Sequence, residues 1–337
     1  MLTSPQVENT KNPNNLVKIE DLIKFLRLAE HEVSEECARL QTYFNDYAAA
    51  YSSSDHAGLT RYVLATTSRV GGHFIGQILG ALGVGQPHEF FSNYHLEKYA
   101  TESTLEKGKL SLAEYWFNLF SEAYKEHGPN GSFGVKVPFN FLLPFIKNGN
   151  FPFGFKKWNW IYLYRRDVIA QGLSLYIAEK ARSWNSFEGQ ERINNLRISD
   201  CNIHQALNAI QIIVNERLRW ELFFSLFGIP HLALAYEDML EDVVRESSKI
   251  RQFLGLNNNS LKFKEIDPLM KQEAPIYGEL REKITKELLG NFTFEHNDLL
   301  ESCAKNREIL ELQSKLALQS AENAKLKFRL VKLGQEI

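Results

Sequence analysis

The chain has 337 residues, 44% hydrophobic and 24% charged, with a formal net charge of −2. That balance is ordinary for a globular protein and gives general nucleic-acid binding no electrostatic support. No apolar run reaches the roughly 18 residues of a membrane span, and Cys37, Cys201 and Cys303 are too far apart to suggest a disulfide framework or a metal-ligand spacing.

Residues 1–16 are polar and read as disordered, with no secretory leader, so the sequence predicts a cytoplasmic chain. From about Lys18 to Tyr51 the stripe Leu22, Leu26, Ala29, Val33, Cys37, Leu40, Phe44 and Tyr47 predicts one long helix. Its near-heptad spacing fits either a coiled-coil seam or a helix packed on its own domain. Ser52 to Asp55 and Gly58 break the pattern.

Tyr62 to Thr66 is an apolar run of strand length. Ser68 to Gly72 is a small glycine-bearing turn with one cation, Arg69. From His73, the residues Phe74, Ile75, Ile78, Leu79 and Leu82 recur at helical spacing, and Gly83 stops the helix. Strand, glycine turn and helix together aim backbone N–H groups at an anion. An ATP-type loop needs Gly-Lys-Ser/Thr, for phosphates and Mg²⁺. Here Arg69, Val70, Gly71, Gly72 and His73 stand in the turn, with no hydroxyl placed for a metal. A sulfuryl group, which carries less charge than a terminal phosphoryl group, suits such a metal-free cradle. A plain strand–helix connection has the same local pattern.

Further elements follow. A helix is predicted over about Leu110–Tyr124, and a strand over Phe133–Val137, containing Lys136 and ended by Pro138. A strand over Ile161–Tyr164 leads through Arg165 and Arg166 to Asp167, the expected N-cap of a helix over Val168–Ala181. Asn185 to Asp200 reads as a polar loop. Helix Ile203–Phe227 ends at Gly228, strand Pro230–Tyr236 follows, then a helix over Met239–Leu254. This alternation predicts an α/β fold with a doubly wound, mainly parallel sheet. Ligands of such sheets bind at the carboxyl ends of the strands, which gathers Arg69, Lys136, Arg166 and the acids after Tyr236 on one rim. Ile309, Leu312, Leu316, Gln319, Asn323, Leu326, Leu330 and Leu333 continue as heptads. They predict a coiled-coil-like C-terminal helix that either joins two subunits or packs on the N-terminal helix.

Three segments together carry a family resemblance: YVLATTSRVGG with QPHEFF, then IYLYRRDVIAQGLSLYIAEKARSW, then IPHLALAYEDMLED with FLGL downstream. In order and spacing they resemble the trehalose-sulfotransferase-like family, users of 3′-phosphoadenosine 5′-phosphosulfate (PAPS), over about Arg61 to Lys283. The resemblance implies a P-loop-NTPase-like fold and sulfuryl transfer from PAPS, without a metal, to a hydroxyl of a carbohydrate or glycolipid. By position, Arg69 and the amides of Val70, Gly71, Gly72 and His73 hold the 5′-phosphosulfate. Arg166 and Ser174 match the 3′-phosphate pair, Glu89 the general base, and Lys136 a lysine near the transferred sulfate. Lys271-Gln272 loosely matches a further basic-Gln pair. The family turn usually reads Arg-Ser-Gly-Ser-Thr, so two hydroxyls are missing here. Phe91, Tyr94, Trp158, Trp160 and Trp184 are candidate sugar-stacking faces, or core.

These readings divide the chain into a disordered and helical extension over 1–59, a sulfotransferase-like α/β domain over 60–290, and a C-terminal helix over 291–337. A small-molecule or glycan acceptor and a homodimer through the terminal helices are the expected partners. The altered turn and the long helices leave a second expectation: a catalytically degenerate scaffold that binds nucleotide or glycan without turnover.

Overall fold

The structure, a computed structural model, describes residues 30–46, 58–102, 110–127, 131–148, 151, 154–184, 190–256 and 275–289. The stretches 1–29 and 291–337, with the C-terminal heptads, and the pair Lys271-Gln272 lie outside the described residues.

Strand β1 (Phe44–Asp46) follows the helix Glu30–Gln41, and β2 (Thr60–Thr66) precedes the helix Gly72–Ala81. The short β3 (Leu110–Ser111) pairs with β1 in parallel. Strands β4 (Ser132–Pro138), β5 (Asn159–Tyr164) and β6 (His231–Ala235) complete a four-stranded sheet with β2, in the order β4-β2-β5-β6. Every pairing in it is parallel. Leu64 stands opposite Lys136 on one side and Ile161 on the other. Pro138 ends an edge strand, where a missing N–H is tolerated.

Both sheet faces are covered, which is why the strands read as continuous apolar runs. Tyr62, Leu64, Ile161, Leu163 and Leu234 pack with Ile75, Ile78 and Leu79 of the Gly72–Ala81 helix and with Ile250. Alternate residues Val63, Ala65, Val135, Val137, Trp160 and Tyr162 join an aromatic core with Trp116, Phe120, Trp220 and Phe223. The period of two along each strand separates these sets. Each face of the sheet therefore has its own core, and the loops at the strand ends stay free to build a site.

A third cluster joins the helices Val168–Ala181, Ile203–Phe227 and Pro275–Leu289 through Leu173, Ile177, Ala206, Ile213, Leu280 and Ile284. Gly172 lets the first two approach closely: a Cβ there would lie 2.5 Å from the Ile210 Cα. Because that neighbour is backbone, a helix must shift to make room. Gly172→Ala is expected to cost about 1–3 kcal/mol, the usual range for overpacking, as read by urea denaturation.

The structure departs from the sequence pattern in several places, among them the start of the helix expected over Leu110–Tyr124, where Leu110–Ser111 is strand β3. The first helix ends at Gln41 instead of running on to Tyr51, because Tyr43 N donates to Leu40 O and the Thr42 hydroxyl to Arg39 O. Phe44 then enters the main core from a strand, 1% exposed. Val33, Cys37 and Leu40 join that same core with Phe145 and Ile146, so the described part of the stripe packs within its own chain. The helix expected over Met239–Leu254 is two helices, Tyr236–Glu241 and Val243–Phe253. Asp242 leaves helical geometry between them, and its carboxylate caps the second by accepting from Arg245 N at 2.9 Å. The polar loop after Asn185 contains a short helix, Gln190–Asn194, and a 3₁₀ turn, Ile198–Asp200. Among the described residues no helix is long and apolar enough to cross a membrane.

Candidate active site

The turn after β2 is shaped by two left-handed residues, Arg69 (φ 59°) and Gly71 (φ 87°). Glycine is required at the second: a Cβ on Gly71 would lie 2.5 Å from Cδ2 of the Tyr236 ring. Val70, 1% exposed, pins the turn into the core beneath the Gly72–Ala81 helix. Gly71 caps that helix, and its carbonyl accepts from Ile75 N at 3.1 Å. The first N–H groups of a helix have no partner within it, and they carry the positive end of its dipole. An anion lying against Gly72 and His73 meets both.

Lys136 reaches this helix end from the neighbouring strand β4. Its Cδ passes 3.3 Å from where a Gly72 Cβ would be, and its Nζ stands 3.1 Å from the Glu89 carboxylate. Glu89 is brought there by its backbone. His88 O accepts from Lys136 N at 2.9 Å, so residue 88 runs beside β4, and Glu89 O accepts from Ser92 N at 2.8 Å. The rings of His88, Phe90 and His95 lie 5.6–5.7 Å apart by centroid, with Ser92 Oγ 3.0 Å from His95 Nδ1. Burial holds the pKa of His73, His88 and His95 below the usual imidazole value. The Lys136 charge adds to this, while Glu89 opposes it at His73 and His95. Each of these shifts favours the uncharged ring, in which one nitrogen donates a hydrogen bond and the other accepts.

Arg69 turns the other way. Its Nε donates to Ser174 Oγ at 3.1 Å and its Nη1 to the Trp184 carbonyl. Arg165 stacks on the Tyr236 ring, 5.1 Å from its centroid, with its Nε 3.9 Å from Glu237. Arg166 makes a two-pronged pair with Asp238 at 2.7 and 2.6 Å, and its backbone N–H donates to Glu237. The paired guanidinium holds the Asp238 carboxyl below its ordinary pKa. Of the residues expected on one rim, Arg166 meets the acids after Tyr236, Lys136 lies beside Gly72 with Glu89 against it, and Arg69 stands in the turn with its side chain directed to Ser174. The pairing expected of Arg166 with Ser174 is rearranged. Ser174 is bonded to Arg69, while Arg166 is engaged by an acid from beyond β6.

The Stf0 sulphotransferase model matches residues 61–276. The chain belongs to the Stf0 sulphotransferase family. That is the trehalose-2-sulfotransferase family, as the sequence resemblance anticipated. A solved structure, the sulfotransferase domain of the Synechococcus PCC 7002 olefin synthase, is similar at 14% identity. The match covers 73% of this chain and 99% of that one, with a TM-score of 0.36. No curated protein matches.

As an Stf0 sulphotransferase the protein takes a nucleotide sulfate donor in the general sense. Among its described residues no group of three or more His, Cys, Asp or Glu is placed to hold a metal ion. Several contributors were missed at the sequence level. Arg165 and Tyr236 flank the turn, and Gln171, Glu216 and Trp220 hold its beginning from two helices. One signal was available: Gln171 is a polar residue inside the apolar run of Val168–Ala181, and it is fully buried.

Proposed function

We propose that this Stf0 sulphotransferase moves the sulfuryl group of PAPS to a hydroxyl of a carbohydrate or glycolipid. The observation that carries the reading is the meeting of a carboxylate, an ammonium and a helix N-terminus beside a glycine turn: Glu89, Lys136 and Gly72–His73. The amides of Val70, Gly71, Gly72 and His73 take the 5′-phosphosulfate. Arg69 and Ser174 lie at its other side, where the 3′-phosphate is held. Arg166 joins them only by leaving Asp238. Arg165, whose charge already bears on Arg69, offers a second cation without that exchange.

Glu89 accepts the proton of the acceptor hydroxyl as its oxygen attacks sulfur in line. The bond from sulfur to the bridging phosphate oxygen breaks, and adenosine 3′,5′-bisphosphate leaves with that electron pair. Lys136 exchanges Glu89 for the oxygens on which charge collects, and the turn amides share it. The residues act by positioning and by charge complementarity, as in phosphoryl transfer. Of the five candidate sugar-stacking rings, Phe91, Trp158 and Trp160 are buried in the core, whereas Tyr94 and Trp184 are 70% and 60% exposed. Tyr94 packs edge-on against His95, on the Glu89 side of the turn, and supports an acceptor platform there.

The test is turnover with PAPS over a panel of sugars and glycolipids, followed by mass spectrometry. A sulfated product that depends on PAPS is expected. Tight binding of adenosine 3′,5′-bisphosphate with no product from any acceptor would instead favour the non-catalytic scaffold.

A further inference from the structure

The beginning of the anion-binding turn is gripped from behind by side chains of two helices, Trp220 and Gln171 buried and Glu216 half-buried. On the helix Ile203–Phe227, Trp220 Nε1 donates to Thr66 O at 2.9 Å. On the same helix, the Glu216 carboxylate accepts from Ser68 N at 2.6 Å and from Ser68 Oγ at 2.8 Å. From the helix Val168–Ala181, Gln171 Nε2 donates to Thr67 Oγ1 at 2.8 Å and to Ser68 O at 2.6 Å. Every polar group of Ser68, its N–H, C=O and hydroxyl, is therefore held by one of two side chains.

The bonds satisfy Ser68, but the side chains that make them carry costs of their own. Gln171 is 0% exposed, and its Oε1 is buried without a hydrogen-bond partner among the described residues. A buried polar atom left unbonded is destabilising, a cost that methionine of similar shape would avoid. Glu216 is a half-buried carboxylate whose surroundings disfavour its charge. Burial pushes its pKa up, and the two Ser68 bonds and the Arg219 charge oppose that.

What the grip achieves follows from peptide geometry. A trans peptide is planar, with its C=O and the next N–H pointing in opposite directions. Ser68 C=O points back at Gln171, so the Arg69 N–H points away from that helix. The same plane starts Arg69 in its left-handed conformation, and Gly71 and the helix N-terminus follow from there. A carbonyl turned outward at this place would set a negative dipole against any bound anion.

We propose that Gln171 and Glu216 are positioning residues that fix the two peptides flanking Ser68, Gln171 the one into Arg69 and Glu216 the one before it, so that the turn faces an anion before one arrives. This rests on the reading that the turn holds the sulfate donor. They touch neither donor nor acceptor, and they set donor affinity, not the rate of the chemical step.

The experiment compares Gln171→Met, Glu216→Ala and Glu216→Gln with the wild type. Calorimetry measures adenosine 3′,5′-bisphosphate binding, NMR titration measures inorganic sulfate, steady-state kinetics gives KM and kcat, and thermal denaturation follows the fold. Gln171→Met and Glu216→Ala are expected to weaken nucleotide binding about tenfold, the scale of one lost charge-assisted or buried hydrogen bond. Donor KM should rise in parallel, with kcat and acceptor KM nearly unchanged. Glu216→Gln keeps an acceptor for Ser68 and should recover most of the affinity. Folded Gln171→Met or Glu216→Ala proteins with wild-type affinity for both anions would overturn the proposal, as would a fall in kcat alone. Should Gln171→Met fail to fold, the contrast between the two Glu216 variants decides. If the wild type binds sulfate but not the nucleotide, the donor reading fails, and the positioning role is judged on the sulfate affinities. Binding of neither anion by the wild type sinks both.

Discussion

Glu89→Gln is expected to lower the rate of sulfuryl transfer roughly 10²-fold, the scale of a lost general base, while nucleotide affinity stays close to wild type. Glutamine has the same shape and still offers an oxygen to Lys136 Nζ, which stands 3.1 Å from the carboxylate in the wild type. The Lys136 position beside Gly72, and with it the donor side of the site, is therefore preserved. What glutamine lacks is the capacity to accept a proton from an attacking hydroxyl. Single-turnover rates separate the two roles Glu89 can have. If it acts as base, the chemical step slows while donor binding holds. If it serves only to anchor Lys136, the amide substitutes well, turnover survives, and any loss appears in donor KM. A rapid variant would leave the base to be sought elsewhere, beginning with the imidazoles of His73, His88 and His95 around it.

Much of the sheet was legible because a parallel sheet covered on both faces leaves little ambiguity in its strands. Tyr62 to Thr66, Phe133 to Val137, Ile161 to Tyr164 and Pro230 to Tyr236 all fall within strands or within a residue of their ends. The helix caps were equally local. Asp167 accepts from Ala170 N, and Gly228 takes the left-handed conformation that ends a long helix. Local pattern failed where two structures satisfy it. Phe44 lies at helical spacing from Leu40 and Cys37, yet it is buried just as well from a strand.

Partner choice in the site was less accessible. Arg165 and Arg166 are adjacent at the end of a strand, and nothing local says which one faces the turn. The deciding partners, Tyr236 and Asp238, arrive from the far side of β5 about seventy residues later. Arg166 and Ser174 were paired by resemblance, whereas the fold pairs Ser174 with Arg69. The Glu216 contact with Ser68 spans 148 residues and leaves no periodic trace at all. Glu89 and Lys136 were named from the family motif, and only the fold shows what joins them, the backbone of residue 88 lying along β4.

Gly71→Ala is expected to damage both the fold and the donor site. The φ of 87° is open to glycine but costs an L-residue about 1–2 kcal/mol. The added methyl also meets the Tyr236 ring at 2.5 Å, too close for any real contact. That ring cannot swing freely, since Arg165 stacks on it and Phe74 meets it edge-on at 6.4 Å. Overpacking of this kind adds about 1–3 kcal/mol, for a total of about 2–5 kcal/mol. Urea denaturation should show it as a lower midpoint with an unchanged slope. Movement of the ring also displaces Arg165 and the turn amides, so nucleotide binding should weaken by more than about tenfold, 1.4 kcal/mol or more. The double variant Gly71→Ala, Tyr236→Leu distinguishes the two sources of loss. Trimming the ring relieves the contact but not the backbone strain, so stability should recover in part and affinity less. A Gly71→Ala protein as stable as the wild type would mean that the turn is not held in the left-handed conformation on which the anion site depends.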